Sequence, residues 1–225
     1  MEFSSKPIFL ICGHYGVGKT NVSVEFAKRL NALERHHTIL LDFDIVNPYF
    51  RSADNAESLR ALGIEVICPE YANTNVDIPT LPPQVNRVFE TDCTAVFDIG
   101  GDDSGATALG TYRSRIEAKG YELYVVINAC RPYIKETEDA LSMIKEIESS
   151  SLLKASGIIN NTNLGTETDL ETVREGFDYA KKICEAANLP LICTTCFADI
   201  ADRLTPQERH DNRVLKIGDA TKKIF

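Results

Sequence analysis

The sequence predicts an α/β protein of three layers, a mainly parallel sheet with helices on both faces. Three observations carry this expectation. Short continuous apolar runs, among them Ile8 to Cys12, Ala95 to Phe97 and Leu123 to Ile127, suit parallel strands buried on both faces. Segments with helical spacing alternate with them. Between the first run and the first helix stands Gly13-His14-Tyr15-Gly16-Val17-Gly18-Lys19-Thr20, which fits G-x-x-x-x-G-K-[ST] in full.

Composition sets the bounds. A chain of 225 residues with 44% hydrophobic content can bury a sizeable core, and we expect one nucleotide-binding domain over residues 1–225. The 24 Lys and Arg against 33 Asp and Glu give a net charge of −9, which argues against a broad nucleic-acid or membrane footprint. No apolar run approaches the ~20 residues of a membrane span, and the segment Met1 to Lys6 is too polar for a secretory signal. A cytoplasmic location is expected. Seven cysteines, an odd number scattered through apparent strands and helices, read as reduced thiols.

Each part of the glycine-rich loop has a task. Gly13, Gly16 and Gly18 let the backbone of His14, Tyr15 and Val17 wrap so that N–H groups converge on phosphate oxygens. The helix that follows, with Val22, Phe26, Leu30 and Leu33 on one stripe, adds the positive end of its dipole. Lys19 would reach the β- and γ-phosphates, and the Thr20 hydroxyl would serve Mg2+.

A second strand, Thr38 to Leu41, follows His36 and His37, which read as a solvated loop. It ends in Asp42-Phe43-Asp44, where period-two alternation puts both carboxylates on one side, at the sheet edge that binds ligands in α/β proteins. One would orient Mg2+ through water and the other, Asp44, would position the attacking water. Arg51, in the loop beyond, can neutralise transition-state charge or pair with a structural carboxylate. A short helix from Ser52 to Leu62 closed by Gly63, a strand from Ile64 to Cys68, and a helix from Ile78 to Phe89 after a proline-rich passage complete this half.

Ala95-Val96-Phe97 leads into Asp98-Ile99-Gly100-Gly101. Asp98 would hold the Mg2+ water shell and the Gly101 N–H would meet the γ-phosphate, while Asp102 and Asp103 read as solvated or capping acids. The strand Ser156 to Ile159 ends in Asn160-Asn161-Thr162-Asn163, where a guanine-specific site would carry N-K-x-D. With an amide at Asn163 in place of that carboxylate, adenine becomes the expected base, read by Asn160 or Asn161 beside Thr162. A turn-forming role for these asparagines is the plainer alternative. A helix beginning near Asp169, a last strand from Pro190 to Cys193, and a helical tail from Arg203 to Phe225 close the chain. Cys193-Thr194-Thr195-Cys196 fits C-x-x-C, with idle thiols the plainer reading and a shared metal or cluster the sharper one.

Through Gly13 to Thr20, Asp42-Phe43-Asp44, Asp98 to Gly101 and Asn160-Asn161, nearly the whole chain resembles the MinD/ParA/CobQ-CobB branch of P-loop NTPases, in the SIMIBI class. The resemblance implies a three-layer P-loop fold with about seven strands, the first beside the Asp98 strand. It also implies ATP and Mg2+ as cofactors. His14 stands where MinD/ParA-type ATPases carry a lysine that reaches across a nucleotide-sandwich homodimer. The expected function is an Mg2+-dependent ATPase switch, slow or partner-stimulated, with Lys19 and Asp44 catalytic and Thr20, Asp42 and Asp98 at the metal. Two alternatives are an ATP-dependent ligase activating a small carboxylate substrate and a nucleotide-gated module that assembles a metallocentre in a client protein.

Overall fold

The computed structural model describes residues 4–33, 37–44, 56–68, 83–101, 103–134 and 136–218, with only the backbone at 103, 104 and 133. Eight strands form one sheet in the order β3-β2-β4-β1-β5-β6-β7-β8, and every pairing is parallel. They are β1 (Ile8–Cys12), β2 (His37–Phe43), β3 (Glu65–Ile67), β4 (Cys93–Ile99), β5 (Tyr121–Ile127), β6 (Gly157–Asn160), β7 (Leu191–Phe197) and β8 (Val214–Ile217). Between them lie α1 (Lys19–Asn31), α2 (Ala56–Ala61), α3 (Val85–Glu90), α4 (Asp103–Lys119), α5 (Thr137–Ser151), α6 (Leu170–Ala187), α7 (Ala198–Ala201) and α8 (Pro206–Asp211). Right-handed crossovers put α1 and α2 on one face and α3 to α6 on the other, where α3 packs on α4, α4 on α5 and α5 on α6.

The central strands form because their side chains have nowhere to go but inward. All of β1 and all of β4 are buried, so an apolar residue is favoured at every position and the alternation of a half-exposed strand is missing. Phe43 and Phe97 meet with ring centroids 5.6 Å apart, and Tyr112 of α4 packs edge-on against Phe43 at 6.0 Å. Each large apolar side chain buried this way contributes about 1.5–3 kcal/mol. Helix boundaries follow the capping residues. Asp169 caps α6 by accepting from the Thr172 N–H, and Asn188 ends it in the left-handed conformation.

The expected fold class holds, with the first strand beside the Asp98 strand, but the sheet has eight strands where about seven were expected. The additional strand lies in the segment read as a helical tail. There α8 spans only Pro206–Asp211, Arg213 turns the chain at φ 48°, and Val214-Leu215-Lys216-Ile217 then pairs with β7. Leu215 and Ile217 are buried while Lys216 points out, the period of a strand and not of a helix. His37 belongs to β2, where it pairs with Glu65 at 2.8 Å, so it is not a loop residue. The expected helix Ile78 to Phe89 is described only from residue 83 and is helical from Val85; the helix over Ser52 to Leu62 is seen from Ala56. Arg51, Asp102 and the prolines at 69, 79 and 82 lie outside the described residues.

Candidate functional site

The strand order reverses around β1. From β1 the chain crosses to β2 through α1 on one face, and from β4 it crosses over β1 to β5 through α4 on the other. A crevice therefore opens beyond the C-terminal ends of β1 and β4, the place where open α/β sheets bind ligands. The loop Gly13 to Gly18 leaves β1 at this crevice, Asp98 sits near the end of β4, and Asp42 is its register partner on β2.

Two buried hydroxyls hold the Asp98 carboxylate. Thr20 Oγ1 donates to Oδ2 at 2.5 Å and Ser23 Oγ lies 3.0 Å from Oδ1, also within reach of the Lys19 carbonyl at 3.0 Å. Both hydroxyls project from the first turns of α1, so the helix that begins at the loop also carries the grip on β4. Burial pushes Asp98 up to about 6, opposed by the Thr20 hydrogen bond, the Lys19 charge and the Ser23 hydrogen bond. Lys19, itself 9% exposed, donates Nζ to the His14 carbonyl at 3.1 Å, which lays it back along the loop. Asp42 and Asp44 are both buried, and the Asp44 N–H closes a turn onto Asp42 Oδ1 at 3.1 Å.

The loop fits tightly against its surroundings. Gly18 caps α1 at φ 88° and supplies no side-chain hydrogen bond, and a Cβ there would stand 2.2 Å from Asn161 Nδ2. Gly101 approaches from the other side, where a Cβ would lie 2.7 Å from Tyr15 Cα and 2.8 Å from Lys19 Nζ. Only glycine permits either approach. The Asp98-Ile99-Gly100-Gly101 segment thus packs directly against the glycine-rich loop.

The asparagines of the 160–163 segment make many contacts within the fold. Asn160 is fully buried, donating to the Gly176 carbonyl at 3.0 Å and Thr194 Oγ1 at 3.3 Å while accepting from Thr162. Asn161 donates to the Val17 carbonyl at 2.6 Å and accepts from Thr195 Oγ1 at 2.5 Å. Thr162 accepts from the Ala129 N–H at 3.1 Å beneath Gly176 of α6. Through these contacts Asn161 ties the glycine-rich loop to β6 and β7. Asn163 is likewise engaged, donating to the Asn161 carbonyl at 2.7 Å.

Cys193 and Cys196 are also separated by the fold. Three residues apart on β7, they point to opposite faces, Cys193 into the main core and Cys196 into a small cluster with Val173, Phe177, Ile200 and Leu204. Burial raises their thiols to about 12 and about 11. Among the described residues no group of three or more His, Cys, Asp or Glu could hold a metal.

Sequence reasoning missed Ser23, which holds Asp98, and Thr195, which holds Asn161. Ser23 carried a readable signal, since it lies one helical turn past Lys19 and so on the same side of α1. Thr195 comes from β7, which only the fold brings beside Asn161. Among the described residues no helix is long and apolar enough to cross a membrane.

No protein-family model and no curated protein matches the chain. Solved structures do match in fold. FtsY from Mycoplasma mycoides is 16% identical with a TM-score of 0.55, over 84% of this chain and 60% of that one. Chloroplast FtsY from Physcomitrella patens is 16% identical with a TM-score of 0.58, over 97% and 64%. The signal recognition particle receptor FtsY from Elizabethkingia anophelis, in complex with GDP, is 14% identical with a TM-score of 0.52, over 87% and 58%. The chain thus spans roughly three fifths of the length of the structures it matches. It is similar to them in its three-layer α/β architecture, a P-loop fold with helices on both faces of a parallel sheet.

Proposed function

We propose that this chain is an Mg2+-dependent nucleotide switch that binds ATP in the loop from Gly13 to Thr20 and hydrolyses it slowly or when a partner stimulates it. The observation that carries the reading is the buried grip of Thr20 and Ser23 on Asp98, beside Lys19, at the crevice between β1 and β4. The Thr20 hydroxyl and the buried Asp98 carboxylate beside Lys19 are hard oxygen donors of the kind Mg2+ takes, and burial, which pushes Asp98 up to about 6, makes a nearby cation favourable to its charged form. Thr20 and Asp98 would hold Mg2+, with Asp42 behind a water; the ion would supply neutralisation of phosphate charge.

The chain's own residues account for the rest. Lys19 would leave the His14 carbonyl for the β- and γ-phosphates, and the loop N–H groups would follow. Asp44 would accept a hydrogen bond from the attacking water and so orient it. Gly101, already against Tyr15, would sense the γ-phosphate through its N–H and shift when that group leaves. ATP is favoured over GTP because residue 163 is an amide where guanine recognition needs a carboxylate. A homodimer with His14 facing the partner subunit's phosphates belongs to the same reading, and sedimentation with and without ATP would detect it.

Calorimetry with ATP and GTP, with and without Mg2+, tests the proposal together with phosphate release. Binding by the native protein that Lys19→Ala abolishes is the expected result. Equal absence of binding in both proteins would sink it. For the ligase reading, the proline-rich passage between β3 and α3 would have to shape the substrate pocket, and it lies largely outside the described residues. The metallocentre reading loses its motivation, because its two thiols face opposite sides of the sheet.

A further inference from the structure

We propose that Arg131 is a nucleotide-binding residue that contacts the α- and β-phosphates from the side of the loop opposite Asp98. It supplies within one chain a permanent cation that the loop lacks at His14. The inference rests on the nucleotide reading above and deepens it.

Arg131 sits on a turn that is built to hold still. Asn128, 1% exposed at the end of β5, accepts from the Cys130 N–H at 2.9 Å through its side chain and from the Arg131 N–H at 3.1 Å through its carbonyl. The Ala129 N–H donates to Thr162 Oγ1 at 3.1 Å, and Asn128 Nδ2 donates to the Asn163 carbonyl at 3.3 Å. The strand-end loops of β5 and β6 are therefore clamped together with Arg131 at their tip. From there its side chain runs to the phosphate-binding loop. Arg131 Nε lies 3.9 Å from the point where a Cβ on Gly16 would stand, the nearest described atom outside Gly16 and its chain neighbours.

The guanidinium is exposed, and among the described residues no carboxylate pairs with it. A planar, always-charged fork of donors beside a loop that wraps phosphates matches the geometry of phosphate oxygens. Its position in the sheet says which ones. The order β2-β4-β1-β5 puts the Asp42 and Asp98 carboxylates on one side of the loop and Arg131 on the other. Thr20 and Asp98 would hold Mg2+, which would neutralise phosphate charge there, so the γ end would lie on the Asp98 side. The α end then runs toward β5, where Arg131 waits.

The consequence is a cation that does not distinguish diphosphate from triphosphate. Titrations of ADP, ATP, GDP and GTP into the native protein, Arg131→Ala, Arg131→Lys and Lys19→Ala would test it. Arg131→Ala should bind the favoured diphosphate and triphosphate about tenfold to a hundredfold more weakly, by the same factor for both. Arg131→Lys should recover part of the loss, as a point charge without the fork. If Arg131→Ala binds both as the native protein does, or loses only triphosphate affinity or only hydrolysis, the assignment is overturned while the nucleotide reading stands. If the native protein binds no nucleotide, both fall together.

Discussion

Thr20 Oγ1 lies 2.5 Å from Asp98 Oδ2, joining the first turn of α1 to the end of β4 across a fully buried gap. The hydroxyl that would serve a metal is thus held by the carboxylate that would share it. Removing the hydroxyl should leave the loop folded but uncouple nucleotide binding from Mg2+. We expect Thr20→Val to bind ADP without Mg2+ nearly as the native protein does, and to lose about tenfold or more of the affinity that Mg2+ adds. Calorimetry across a Mg2+ series reads this directly.

Asp98 also predicts a pH dependence. Its folded-state value, about 6, lies above the ordinary 3.8, so the folded protein holds the proton more tightly than the unfolded chain. The stabilising contribution is present in full below 3.8 and lost as pH rises through about 6. A shift of about two units corresponds to at most ~3 kcal/mol. In urea unfolding without nucleotide, Asp98→Asn should therefore be more stable than the native protein at pH 7.5, with the gap closing toward pH 5. Glu208 and Glu148, held below the usual carboxylate range by Arg174 and Lys154 respectively with help from nearby backbone N–H groups, weaken both proteins alike in acid and cancel in the comparison. A gap independent of pH would contradict the burial of a charged Asp98.

Asn161 should behave as a positioning residue. Asn161→Ala removes the donor to the Val17 carbonyl, at a cost of about 1–3 kcal/mol for a buried group that loses a partner, and leaves the Thr195 hydroxyl only the Asn160 carbonyl at 3.3 Å. The expected signature is a lower unfolding midpoint together with weaker binding of ATP and GTP by a common factor. A base-reading asparagine would instead change the ratio of the two affinities. Gly18→Ala should be worse than Asn161→Ala alone, since the new methyl meets Asn161 Nδ2 at 2.2 Å in a left-handed backbone.

The cysteine pair yields a prediction of a different kind. Purified without oxygen, the native protein and Cys196→Ser should both be colourless and free of stoichiometric metal. Cys193→Ser, which buries a hydroxyl in the main core, should lose about 1–3 kcal/mol of stability by urea unfolding. Visible absorption that disappears in both variants would reverse this assignment.

Much of the fold was legible because the signals are local. A run such as Ile8 to Cys12 needs no partner to declare itself a doubly covered strand, and the loop from Gly13 to Thr20 needs only its neighbours in sequence. What escaped depended on distance. Asn161 lies 144 residues from the Val17 carbonyl it holds, so nothing near it in sequence announced that contact. The C-x-x-C pair left a shared metal open beside idle thiols until the strand ran on to Phe197 and sent the thiols to opposite faces. Helix α4 gave little warning, because Gly105, Ala106, Ala108 and Gly110 carry weak hydrophobic contrast, and only the fold shows Gly105 close against Gly100 and Gly110 close against the Ser150 carbonyl.

Strand β8 forms one rim of the sheet, and a rim with unpaired backbone groups is a template on which another chain can add. The protein blunts it. Arg29 donates to the Lys216 carbonyl at 3.0 Å, and the outward Lys216 pairs with Asp202, so charge lines the margin. Stripped of β8, the sheet would present β7, Leu191-Ile192-Cys193-Thr194-Thr195-Cys196-Phe197, seven residues without a charge. The short strand hidden in a polar tail therefore works as a seal against edge-to-edge aggregation.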